Sequence, residues 1–129
     1  MPTSNPLTGK SVLVVDDDAS MLMSMNRLLQ QHGFNARIFK SAGALFGHGA
    51  FEEASCIVLD INLEDESGID LHRRLADQGI KIPTIFVTGN DSHAARAAAI
   101  ASGCIAYLAK PFSAKSFIES VERACANAA

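Results

Sequence analysis

The fold of this chain is decided by the stretch Cys56-Ile57-Val58-Leu59-Asp60, a short apolar run that ends in a carboxylate. A continuous apolar segment of this length, rich in β-branched residues, is typical of a strand buried on both faces. Such strands belong to parallel sheets that helices cover on each side. Asp60 is therefore expected where a central strand leaves the core.

Similar apolar runs alternate with helical patterns along the rest of the chain. Strands are predicted at residues 12–15, 35–40, 56–59, 83–87 and 104–109, with amphipathic or alanine-rich helices after each of them. Five strands alternating with five helices indicate an α/β fold. We expect a single flavodoxin-like (βα)5 domain, with a parallel five-stranded sheet of order 2-1-3-4-5 and helices on both faces. Residues 1–10 lack apolar periodicity and are predicted to be a flexible tail, which leaves residues 11–127 as the domain.

Composition narrows the possible functions. The 129 residues carry 11 Lys and Arg against 14 Asp and Glu, a net charge of -3, so direct nucleic acid binding by this segment is not expected. No apolar segment approaches the roughly 20 residues that span a bilayer. Three cysteines, Cys56, Cys104 and Cys125, lack metal-ligand spacing and suit reduced thiols in a cytoplasmic protein.

The residues that follow the predicted strands form one chemical set. In open parallel sheets, ligands bind outside the carboxyl ends of the strands, where the strand order reverses. That position gathers Asp16, Asp17, Asp60, Thr88 and Lys110. Close carboxylates repel unless a cation compensates them. Mg²⁺ is the expected cofactor, because it binds through one or two carboxylates and keeps water and phosphate oxygens as its other ligands.

This set of residues suits phosphoryl transfer to an aspartate. Asp60 is the best candidate for the nucleophile because it is the single carboxylate at its strand end. Asp16 and Asp17 would hold the metal, and Lys110 would stabilise charge on the transferred oxygens. Thr88 offers a hydroxyl donor.

Together these motifs make the chain resemble a response-regulator receiver domain of bacterial two-component signalling. The matching features are VLVVDDD from Val12, VLD ending at Asp60, Ser67-Gly68, IFVTG ending at Gly89 and YLAKPF ending at Phe112. They span about four fifths of the chain in the order and spacing of the family.

The resemblance assigns roles to individual residues. Asp60 would be the phosphoacceptor, taking the phosphoryl group from a sensor histidine kinase or a histidine phosphotransfer protein. Asp17 and Asp60 would ligate Mg²⁺ directly, Asp16 largely through water, and Asn62 through its backbone carbonyl. Lys110 would contact the phosphoryl oxygens together with Thr88. The peptide bond between Lys110 and Pro111 is expected to be cis.

The resemblance also implies a switch. Phosphorylation would draw the hydroxyl of Thr88 inward, and Tyr107 would turn into the vacated space. The face formed by the fourth helix, fifth strand and fifth helix would then change shape for an output partner or a homodimer. The protein would be a signalling receiver, active only in its own phosphorylation and dephosphorylation, and not an enzyme.

One departure from the family and three alternatives remain. Glu64 stands where the family most often has proline. A haloacid-dehalogenase-like phosphohydrolase would use Asp16 as nucleophile with Asp18, Thr88 and Lys110, but no Asp follows Asp91 to supply its late acidic motif. A flavin-binding module of the same topology conflicts with the acidic loop after the first strand. A degenerate receiver that only docks would lack a site residue, and none is missing.

Overall fold

The computed structural model describes residues 9–49 and 51–127. Within them lie five β-strands and five α-helices in strict alternation, with a short 3-10 helix, Phe51–Glu53, before the third strand. The strands are β1 Ser11–Val15, β2 Asn35–Phe39, β3 Ala54–Asp60, β4 Thr84–Thr88 and β5 Ala106–Ala109. The helices are α1 Ala19–Gln31, α2 Ala42–His48, α3 Gly68–Asp77, α4 His93–Ala101 and α5 Ala114–Ala126.

Within the described residues, the strands form one five-stranded sheet of order β2-β1-β3-β4-β5, in which all pairings are parallel. The predicted flavodoxin-like order is therefore confirmed. β1 and β3 are neighbours near the middle of the sheet, and Val15 pairs with Leu59 at their carboxyl ends. This register brings Asp16 and Asp60 to the same edge.

The core lies on both faces of the sheet, because alternate side chains of each strand point to opposite sides. Cys56 and Val58 of β3 pack with buried residues of α1 and α5, such as Leu22 and Phe117. Ile57 and Leu59 of β3 pack on the other face with α2, α3 and α4, through residues such as Leu45, Leu71 and Ala99. The helices on both faces explain why the central strands are apolar without alternation.

Short polar residues cap the N-termini of the helices, where their side chains accept hydrogen bonds from backbone N–H groups. Asp18 accepts hydrogen bonds from the N–H groups of Ser20 and Met21 at the start of α1, which is the capping role expected of an aspartate there. Ser41 caps α2 in the same way. That cap and the burial of Leu45 help to explain why α2 forms in spite of its two glycines.

The predicted strand boundaries differ from the observed ones by one or two residues. β4 runs from Thr84 to Thr88, so Thr88 is its last residue. Pro83 precedes the strand because it has no N–H to donate, although its carbonyl accepts a hydrogen bond from Ile57. β5 begins at Ala106, two residues later than predicted, after the turn at Gly103.

The predicted tail mostly lies outside the described residues, which begin at Gly9. The N–H of Gly9 donates to the carbonyl of Gly33 in the turn before β2, and the carbonyl of Lys10 accepts the N–H of Asn35, the first residue of β2. Among the helices that the structure describes, none is both long and apolar enough to cross a bilayer.

Candidate phosphoryl-acceptor site

Three carboxylates meet at the carboxyl edge of the sheet. Asp16 follows β1 directly, Asp60 is the last residue of β3, and Asp17 comes next after Asp16. One carboxylate oxygen from each of the three lies within 4.8 Å of the others. Because parallel strands end at the same edge, residues 44 positions apart in the chain become neighbours.

Asp16 is fully buried and is held from two sides. Its Oδ1 accepts the N–H of Asp18 at 2.9 Å, and its Oδ2 accepts the ammonium of Lys110 at 2.8 Å. Burial raises the pKa of Asp16, and the hydrogen bond from Lys110 offsets only part of this effect. A second positive charge at this site would therefore stabilise the ionised carboxylate.

Asp60 is also buried, with 3% of its surface exposed. Its Oδ1 accepts the N–H of Asn62 at 3.0 Å, and its Oδ2 lies 3.3 Å from the Nζ of Lys110. The single lysine thus contacts both buried carboxylates. Burial alone would lower the pKa of Lys110, but the hydrogen bond and charge of Asp16, with the charge of Asp60, raise it overall.

The donor set fits a hard divalent cation. Asp16, Asp17 and Asp60 offer carboxylate oxygens, the ligands that Mg²⁺ prefers. Asp17 is only half-buried, so the cluster opens towards solvent on its side. Three carboxylates with one lysine leave an excess of negative charge in a poorly solvated place, which a divalent cation would compensate.

Thr88 lies at the same edge, but its hydroxyl is engaged elsewhere. The hydroxyl donates to Oδ1 of Asn62 at 2.7 Å and accepts the N–H of Asn90 at 3.0 Å. The resemblance gave Asn62 a role as a metal ligand through its backbone carbonyl. Its side-chain bond to a residue 26 positions away could not be read from local pattern, since it depends on how two loops meet.

Tyr107 lies beyond the cluster, against the start of α4. Its hydroxyl donates to Oδ1 of Asp91 at 2.7 Å, and the guanidinium of Arg96 lies 4.7 Å from the centroid of its ring. Arg96 also pairs with Asp91 at 2.9 Å. The hydrogen bonds from Tyr107 and Arg96 lower the pKa of Asp91, and burial together with Asp91 raises the pKa of Tyr107. The ring is thus held at the surface and outside the carboxylate cluster.

Gly68, which follows Ser67, lies too close to the end of β3 to carry a side chain. A Cβ added at Gly68 would lie 2.2 Å from the carbonyl oxygen of Asp60, well inside van der Waals contact. The first turn of α3 therefore approaches the end of β3 as closely as backbone permits.

The Lys110-Pro111 peptide bond is cis, as the resemblance predicted.

A cavity of about 760 Å³ opens at the opposite edge of the sheet, where Phe51, His72, Ile80 and Lys81 are among its lining residues. It contains none of the predicted site residues. The candidate site is therefore distinguished by its converging charges rather than by a deep cavity.

Comparison with known proteins identifies the family. The model of the response regulator receiver domain matches residues 12–122. Transcriptional regulatory protein FixJ of Rhizobium meliloti is 31% identical over 92% of this chain and 58% of its own length. Nodulation protein W of Bradyrhizobium diazoefficiens is 34% identical over 85% of this chain and 48% of its own. The chain thus spans about half the length of these relatives.

A solved structure gives the same result. The crystal structure titled FixJ-N superposes with a TM-score of 0.82 at 30% identity, covering 93% of this chain and 96% of that one. The phosphohydrolase alternative receives no support from any of these matches. The aspartate cluster agrees with the acidic residues through which receiver domains bind Mg²⁺. The chain belongs to the response-regulator receiver domain family of two-component signalling.

Proposed function

We propose that this domain accepts a phosphoryl group on Asp60 from a sensor histidine kinase or a histidine phosphotransfer protein, with Mg²⁺ as cofactor. The observation that carries the proposal is the convergence of Asp16, Asp17 and Asp60 within 4.8 Å around Lys110, which contacts two of the three. Burying two carboxylates against a single lysine has a desolvation cost that can exceed the attraction between them. A site for a metal and a phosphoryl group explains that charge balance.

The chemistry follows from these positions. A carboxylate oxygen of Asp60 forms a bond to phosphorus, while the bond from phosphorus to the donor imidazole nitrogen breaks and its electron pair stays on that nitrogen. Lys110, 3.3 Å from the Asp60 carboxylate, stabilises negative charge on the transferred oxygens. Mg²⁺, when bound, supplies further charge compensation as a Lewis acid. Asp17 and Asp60, Asp16 through water, and the carbonyl of Asn62 would hold it.

Phosphorylation would change the partners of Thr88 and Tyr107. The Thr88 hydroxyl has one proton, now given to Asn62, so binding a phosphoryl oxygen requires that bond to break. Tyr107 would then lose its hydrogen bond to Asp91 and turn inward. This is a two-state equilibrium biased by a local charge, and it would alter the surface of α4, β5 and α5. An output partner or a second copy of the chain would read that surface.

Residues 11–127 form the receiver, which acts as a signalling component and is chemically active only on its own phosphorylation state. Its place is the cytoplasm, where the free thiols of Cys56, Cys104 and Cys125 would stay reduced.

Intact-mass spectrometry tests the central step. The protein is exposed to a small-molecule phosphodonor with Mg²⁺, and one added phosphoryl group is expected. The variant Asp60→Asn keeps the size of the side chain and should acquire none. Labelling of that variant, or labelling of the wild type that persists when a chelator removes the metal, would contradict the proposal.

A further inference from the structure

The loop between β3 and α3, residues 61–67, contains three consecutive acidic residues, Glu64, Asp65 and Glu66. Asp65 connects this loop to α2. Its Oδ2 accepts the N–H of Gly43 at 3.1 Å, and its Oδ1 accepts the N–H of Ala42 at 3.3 Å. Both donors lie in the first turn of α2, where backbone N–H groups have no partner within the helix.

Glu66 makes a second connection. It forms an ion pair with Arg74 of α3, whose guanidinium lies 4.2 Å from the centroid of the Phe46 ring in α2. The side chain of Glu66 is 19% exposed and that of Arg74 is 49% exposed, so the pair is shielded from solvent only on the Glu66 side. We call Asp65, Glu66 and Arg74 the acidic clamp, since together they join the loop to the helices on either side.

The other end of the loop belongs to the candidate site. The N–H of Asn62 donates to Asp60, and the side chain of Asn62 accepts the hydroxyl of Thr88. The N–H of Ile61 donates to the carbonyl of Val87, which ties the loop to β4. Asn62, which faces the candidate site, and Asp65 of the acidic clamp are therefore only three positions apart.

Glu64 provides an internal contrast. It is exposed, and no hydrogen bond or ion pair that the structure gives for residues 9–49 and 51–127 includes it. A proline at this position would fix φ, whereas glutamate leaves the backbone free. Inside the loop, buried Ile61 and Leu63 and the bridge between Asn62 and Ser67 restrain the backbone. Asp65 and Glu66 add contacts that join the outer part of the loop to α2 and α3.

We propose that Asp65 and Glu66 are positioning residues for the chemistry at Asp60: the acidic clamp keeps the loop, and with it Asn62, in the shape that metal and phosphoryl binding require. This inference rests on the proposed function. The hydrogen bonds from Gly43 and Ala42 lower the pKa of Asp65, so the carboxylate that makes the connection is ionised at neutral pH. Partners that orient metal ligands commonly affect metal affinity by 10-fold or more.

The test compares Asp65→Ala with Glu64→Ala. Each variant removes one negative charge from adjacent exposed positions, and only the first removes contacts. Mg²⁺ affinity of the unphosphorylated proteins is measured by isothermal titration calorimetry. We expect Asp65→Ala to weaken binding about 10-fold more than Glu64→Ala does. Asp65→Asn, which keeps one acceptor, should fall between them.

A second readout needs no metal. Amide hydrogen exchange at Asn62 should be faster in Asp65→Ala than in Glu64→Ala, with equal protection in the strands of both. Equal Mg²⁺ affinities in the two alanine variants would show that charge alone matters and would overturn the inference, while leaving the proposed function intact if the wild type is phosphorylated. A wild type that binds no Mg²⁺ and accepts no phosphoryl group would overturn both.

Discussion

The β3–α3 loop and the β4–α4 loop leave the same edge of the sheet, at the carboxyl ends of neighbouring strands. The first, residues 61–67, inserts Ile61 and Leu63 into the core, where they are 7% and 8% exposed. The acidic clamp joins its outer part to two helices. The second, residues 89–92, is exposed throughout, and the side chain of Asp91 pairs with the exposed Arg96.

This difference separates a fixed region from one that can move. Buried apolar anchors must be exposed to water before the first loop can shift, which is costly. The second loop depends on the pair of Asp91 with Arg96 and on the hydroxyl of Tyr107, and exposed contacts of this kind contribute little to stability. The geometry that phosphorylation needs is thus held by the first loop, and the change it causes is expected in the second.

The largest expected effect on stability comes from a substitution at Gly68, the first residue of α3. Gly68→Ala places a Cβ 2.2 Å from the carbonyl oxygen of Asp60, so α3 or the end of β3 must shift. We expect a loss of about 3 kcal/mol in the free energy of unfolding, measured by urea denaturation. Gly47→Ala is the control, because its Cβ would meet no atom within 4 Å and should stabilise α2 slightly. Equal stability of Gly68→Ala and wild type would show that the two elements are not rigidly joined.

Mg²⁺ tests whether the carboxylate cluster beside the first loop is already arranged for the metal. A bound ligand at 100 times its Kd stabilises a folded protein by about 2.7 kcal/mol. We expect Mg²⁺ to raise the Tm of the wild type and a chelator to reverse the effect. Asp17→Asn, at the half-buried member of the cluster, should lose most of this increase. An unchanged increase in that variant would place the ion elsewhere.

Acid should lower the free energy of unfolding through His72 of α3, the helix that follows the first loop. His72 of α3 is half-buried, with its ring 5.6 Å from that of Phe86, and burial lowers its pKa. The unfolded chain, with a pKa of about 6.5, then binds the proton more readily than the folded state. Stability should therefore be fully present above that pH and fall as the pH drops below it.

The expected slope for His72 is well under the limit of about 1.4 kcal/mol per pH unit that one proton sets. Urea denaturation between about pH 5 and pH 7.5 measures it, using the ordinary histidine pKa as the centre of the range. His72→Gln should flatten the slope relative to wild type. A parallel pH dependence in the two proteins would assign the effect to other groups.

The smallest effect on stability is expected at the contacts of the β4–α4 loop. Tyr107→Phe removes the hydroxyl bond to Asp91 but keeps the ring beneath Arg96. Its free energy of unfolding should match the wild type within experimental error, while exchange at the amides of Asn90 and Asp91 increases. A large loss of stability would contradict the contrast between the two loops.

Much of the site could be predicted because it depends on strand ends. Asp16, Asp60, Thr88 and Lys110 each follow or close an apolar run, and parallel strands deliver such residues to one edge. Strand boundaries were less accurate, since pairing with neighbours decides the last residue. Thr88 belongs to β4 because Ala109 of β5 pairs with it.

The alternation of strands and helices, the parallel sheet and the convergence of the acidic residues all follow from the pattern of apolar residues, because that pattern sets burial on both faces and the direction of the strands. The partners of the remaining polar groups depend on tertiary packing. Thr88 bonds to Asn62, Tyr107 to Asp91, and Asp65 to Gly43. Each of these side chains could satisfy its hydrogen bonds with several partners or with water, and the choice depends on which loops the packed core brings together.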